Sequence, residues 1–135
     1  MEFHLGFSHR YVYQSSEAGI TVEARLKHGE RSESCLAKVD PGSQACLFER
    51  GLGEALGINI EGGYRRSFST LTGGLIAYGH SVELETLGLS FTSMVYFAES
   101  PAIQRNLLGR EGWLLLIKLG LVDYNSELYL SHYDQ

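Results

Sequence analysis

Cysteine, proline, basic runs and long apolar stretches are all scarce in this 135-residue sequence. The two cysteines, Cys35 and Cys46, have no CxxC spacing, so they read as small buried residues with reduced thiols; neither a disulfide nor a metal site is expected. Four histidines, His4, His9, His28 and His132, are too scattered to form a ligand cluster, and His80 reads as a structural histidine. Two prolines against 16 glycines suit a β-rich chain with many turns better than a helical bundle. Lys and Arg occur singly and the net charge is −5, so the electrostatic footprint of a nucleic-acid partner is missing. The longest apolar run, Trp113 to Ile117, falls far short of a membrane span, and Met1-Glu2-Phe3-His4 lacks the basic start of a secretory signal. The chain is therefore expected to be soluble and cytoplasmic, with no membrane partner. With 44% hydrophobic residues it can bury one core, so a single domain over 1–135 is expected.

What is present is alternation. Phe3, Leu5 and Phe7 have the period of a half-buried edge strand. Ile20, Val22, Ala24 and Leu26 share one face of a second strand, followed by a turn at His28-Gly29-Glu30. Tyr11, Tyr13 and the pair Ser15-Ser16 carry no assignable pattern. Phe48, Leu52 and Leu56 have helical spacing and Gly57 supplies a stop, which predicts a short helix over Phe48 to Leu56. Tyr64 to Leu71 and Leu75 to Leu84 flank Thr72-Gly73-Gly74, predicting a long hairpin with a glycine tip. From Gly88, the run Leu89 to Phe97 is apolar on both faces, as in a central strand. Asn106 to Leu108 predicts a short strand and Gly112 to Ile117 a buried helix with Trp113 as a core anchor. Leu119 to Leu130 then reads as a final hairpin. Short strands with one or two short helices make the chain mainly β.

The stretch with chemical content is Leu36-Ala37-Lys38-Val39-Asp40-Pro41-Gly42-Ser43. It ends an extended segment in an acid and turns at Pro-Gly, which brings backbone N–H groups near the carboxylate. Asn106-Leu107-Leu108-Gly109-Arg110-Glu111-Gly112-Trp113 later repeats apolar residues running into a glycine. In this order, together with the glycine-tipped hairpin and the strand Val95 to Glu99, these motifs resemble the single-domain bacterial branch of the retropepsin-like aspartic proteases. The resemblance runs from about Ile20 to the end. One departure stands out: that family carries Thr or Ser after its catalytic acid, and this sequence has Pro41.

The resemblance implies a closed β-barrel that acts as a homodimer, each chain supplying one Asp40 to a shared catalytic pair. The implied reaction is hydrolysis of a peptide or protein substrate without a cofactor. Pro41, Gly42 and Ser43 would form the active-site loop. Thr72, Gly73 and Gly74 would be the flap tip, with Leu75, Ile76, Leu107, Leu108 and Gly109 contributing to substrate binding, and Leu36 as a further pocket wall. Pro41 has neither hydroxyl nor N–H, so the family's tie between the two loops is lost. A non-catalytic peptide-binding or dimerising relative is therefore the alternative. Asp-Pro-Gly-Ser by itself is also an ordinary turn sequence. No serine or cysteine sits in a nucleophile elbow, and Gly73-Gly74 precedes a strand, which disfavours a phosphate loop.

Overall fold

The computed structural model describes residues 1–135 apart from Glu17 and Thr72. Strands dominate: β1 (His9–Val12), β2 (Thr21–His28), β3 (Arg31–Val39), β4 (Leu47–Phe48), β5 (Tyr64–Thr70), β6 (Gly73–Thr86), β7 (Leu89–Ala98), β8 (Leu107–Leu108), β9 (Ile117–Val122) and β10 (Glu127–His132). One α-helix, α1 (Arg50–Ala55), and three single-turn 3-10 segments complete the described elements. A seven-stranded sheet runs β2-β3-β8-β4-β7-β6-β5, and β2 also pairs with β6 from Ala24↔Thr86 to Lys27↔Glu83. The sheet thus curls until its two sides meet. A second sheet, β1-β10-β9, packs beside it. None of the described helices is long and apolar enough to cross a membrane.

Alternation explains most of this. Val22, Ala24 and Leu26 are fully buried while Glu23, Arg25 and Lys27 face out, as their period of two dictates. Gly29 has φ +61° in the two-residue turn that brings His28 opposite Arg31. On β7 both faces are buried toward the C-terminal end because an apolar cluster covers each of them. Phe97 and Val95 point into the main core, and Tyr96 and Ala98 into a second cluster on the other face. Trp113, Phe48 and Phe97 are the largest fully buried side chains. The Trp113 indole also donates to Thr86 Oγ1 at 2.8 Å, so its one polar atom is satisfied.

Four expectations are corrected. Phe3 to Phe7 is not a strand; pairing with β10 begins at His9↔Leu130, and Phe3 and Leu5 stay exposed. Only Phe7 finds a partner, stacking on Tyr129 with ring centroids 5.9 Å apart. Helix α1 starts at Arg50, because Phe48 is taken by β4 beside Phe97. Its end is as expected: Gly57, at φ +78°, donates to Glu54 O at 2.9 Å. Gly112 to Ile117 forms a single 3-10 turn at Leu114–Leu116 rather than a buried helix, since Ile117 already opens β9 and Leu115 is exposed. Gly88 is a turn residue, and the strand begins at Leu89.

Candidate active site

Asp40 follows directly on β3, whose end runs parallel to β8 with Lys38 opposite Leu107 and Val39 opposite Leu108. Lys38 N donates to Asn106 O at 2.8 Å and Asp40 N to Leu108 O at 2.9 Å. The backbone then turns. Ser43 N donates to Asp40 O at 3.0 Å, with Pro41 and Gly42 exposed at the corner. Gly42 N donates to Asp40 Oδ1 at 3.0 Å, so the turn's own amide orients the carboxylate. Ser43 uses its hydroxyl inside the loop, donating to Ala45 O at 2.7 Å.

The second motif locks onto this turn. Arg110 N donates to Ser43 O at 3.0 Å and Glu111 N to Gln44 O at 2.9 Å. Leu47 pairs with Leu107, so β8 lies between β3 and β4 and braces both arms of the Asp40 loop. Gly109 makes the approach possible, since a Cβ there would lie 2.2 Å from Ala45 O and 2.7 Å from Ser43 O. Asp40, Pro41, Gly42, Ser43, Leu107, Leu108 and Gly109 are thus assembled in one place, from segments more than sixty residues apart in the chain.

The β5–β6 hairpin pairs from Tyr64↔Gly79 to Thr70↔Gly73. The β6–β7 ladder ends at Ala77↔Ala98, with one further bond from Glu99 N to Ile76 O at 2.9 Å. The outer part of the hairpin therefore projects past the sheet. Gly73 and Gly74 lie within β6, opposite Thr70 and Ser69; Thr72, the other residue of the expected tip, lies outside the described residues. A side chain at either glycine would meet open space.

Of the expected pocket walls, Leu75 and Leu107 pack against a small apolar cluster separate from the main core. Its buried members are Ala45, Leu47, Ala77, Tyr96 and Ala98, with Phe68 and Ile103 also packed against them. Ile76 instead packs toward the main core, and Leu36 is exposed on β3 outside both clusters. The expected pocket walls do not include Leu47, Phe68, Tyr96 and Ile103 of this cluster. Two-faced apolarity in Val95 to Ala98 was the signal available for them.

Charge around the loop is organised by Arg66, whose Nη1 lies 2.8 Å from Glu111 Oε2 and 3.3 Å from Tyr96 Oη. Burial pushes the Cys46 thiol up to about 12, and it donates to Glu111 O at 3.4 Å. Among the described residues no group of three His, Cys, Asp or Glu side chains is placed to hold a metal ion. Two surface depressions, one beside Lys27 and Glu83 and one beside Tyr11 and Arg25, do not include Asp40.

No protein-family model and no curated protein matches the sequence. Solved structures do resemble the fold. A retropepsin-like aspartic protease from Rickettsia conorii superposes with a TM-score of 0.68 at 16% identity, over 95% of this chain and 100% of that one. The EIAV protease complexed with the inhibitor HBY-793 superposes with a TM-score of 0.56 at 15% identity, over 73% of this chain and 88% of that one. With its braced Asp40 turn and its projecting hairpin, the chain has the fold of the retropepsin-like aspartic proteases.

Proposed function

We propose that the protein is an aspartic endopeptidase in which Asp40 from each of two identical chains forms the catalytic pair. The observation that carries this reading is the Asp40 turn itself. Its main chain is tied to Leu108, its carboxylate is oriented by Gly42 N–H, and its far arm is held by the Gly109 motif. An isologous dimer about a twofold axis would set the two carboxylates side by side. Two such groups cannot both ionise cheaply, so they hold one proton between them, as the handful of well-known aspartic dyads do. The ionised member takes a proton from the attacking water and the protonated member polarises the scissile carbonyl. No cofactor is needed. The peptide would lie extended between the Asp40 turn and the β5–β6 hairpin, with Leu75 and Leu107 against its side chains. The free thiols of Cys35 and Cys46 suit a reducing compartment, and the cytoplasm is the proposed location.

The deciding experiment is digestion of a peptide library by wild type and Asp40→Asn from acidic to neutral pH. Cleavage at mildly acidic pH that disappears in the variant supports the proposal. Cleavage that persists in Asp40→Asn would remove it.

Pro41 favours a second reading, a dimeric module that captures an extended peptide without cutting it. Proline supplies neither hydroxyl nor N–H at this position. Ser43 does not replace them, because its hydroxyl is already given to Ala45 O. This reading predicts peptide binding without turnover, and turnover gained in Pro41→Thr.

A further inference from the structure

The β5–β6 hairpin is an arm with few points of attachment. Among the described residues strand β5 pairs only with β6, and from Tyr64 to Thr70 just two residues, Arg66 and Phe68, are even half-buried. Arg66 stands opposite Ala77, which is opposite Ala98, the last pair before the hairpin leaves the sheet. Its guanidinium carbon lies 4.7 Å from the Phe68 ring centroid and 5.2 Å from that of Tyr96. Those two rings meet edge to face at 5.4 Å. The same guanidinium pairs with Glu111 at 2.8 Å. Glu111 is a firm anchor, since its N–H is bound to Gln44 O and its carbonyl accepts from the Cys46 thiol.

We propose that Arg66 is a positioning residue that latches the hairpin to the loop bracing Asp40, and so sets how far the hairpin stands from that loop. A planar guanidinium can stack on rings and pair with a carboxylate at once; a lysine ammonium cannot do both. The side chains of Arg66 and Glu111 are 23% and 46% exposed. In that setting the ion pair and the ring stack each shift an equilibrium by no more than about fivefold. Such a contact can open and close, which is what a movable arm requires.

The consequence for catalysis rests on the proposed protease site, whereas the latch itself does not, so the test has two arms. The first is hydrogen exchange in wild type, Glu111→Gln, Arg66→Lys and the double variant. Amides of β5 and of Gly74 to Ile76 are expected to exchange about fivefold faster in Glu111→Gln and at least as fast in Arg66→Lys, which also loses the ring stack, with the double variant no faster than Arg66→Lys. Amides of β7, β9 and β10 should not change. The second arm is peptide cleavage, where KM should rise about fivefold and kcat stay within about twofold, with added salt shifting wild type the same way. Unaltered hairpin exchange would overturn the latch. So would faster exchange spread evenly over the sheet with a lower Tm, which marks a merely structural ion pair. If wild type cleaves no peptide, the protease reading fails while hydrogen exchange still decides the latch.

Discussion

Gly109 shows how a single missing side chain can hold a site together. Its Cα faces Ala45 O and Ser43 O, both backbone atoms that cannot rotate away. Gly109→Ala should therefore cost about 3 kcal/mol or more in denaturant unfolding and displace the Asp40 turn. Asp40→Asn should leave unfolding nearly unchanged, because an amide oxygen can still accept from Gly42 N–H, yet lower cleavage by at least about a hundredfold. Pro41→Thr restores a hydroxyl at an exposed corner. If it regains one hydrogen bond worth about 1 kcal/mol in the dimer, kcat/KM should rise about fivefold. The acid and its turn were legible in the sequence, since Pro-Gly after a hydrophobic strand has few other uses. The second apolar cluster was less so: Leu47 and Phe68 are unremarkable until the fold packs them together.

Helix α1 illustrates how neighbours override local preference. Replacing a helical glycine by alanine ordinarily gains about 1 kcal/mol. At Gly53, however, a Cβ would lie 2.5 Å from Ile60 Cδ1 and 2.9 Å from Phe97 Cδ1. Overpacking of this kind costs about 1 to 3 kcal/mol, so Gly53→Ala should lower stability despite the better helix former. The exposed Gly51, which meets nothing within 4 Å, should show the opposite sign. Thermal unfolding of the two variants checks both. The helix is also pinned from outside: Arg50 forks onto both oxygens of Glu61, at 2.6 and 2.7 Å, and reaches Glu99 O at 3.0 Å. Its six residues could not persist alone.

At the scale of the whole molecule, burial of titratable groups sets an alkaline limit. Cys35, Cys46 and Tyr13 are each pushed up to about 12, chiefly by burial, with Glu49 adding to Cys35 and Asp123 to Tyr13. The unfolded thiols titrate near 9.0. In these groups the folded value is raised, so the unfolded chain loses protons first. Stability is therefore complete below pH 9 and falls as pH rises toward 12. Denaturant midpoints measured across that range should decline, less steeply in Cys46→Ala. The proposed catalytic pair would be built from two chains and so make activity depend on concentration: specific activity should fall on dilution and Tm should rise with protein concentration. A Tm and specific activity independent of concentration would argue for a monomer.

By itself the sequence determined that the chain is mainly β, where β2, β6, β7 and β10 run, and that one acid sits at a strand end before a Pro-Gly turn. These are local matters, settled by a period of two and by the φ preferences of proline and glycine. Only the tertiary structure decided that β8 slots between β3 and β4, that Phe3 to Phe7 finds no strand to pair with, and that Arg66 reaches Glu111 across forty-five positions. Those outcomes depend on pairings between distant segments, where each strand's choice is fixed by which other strand edges remain free, and no local pattern encodes that.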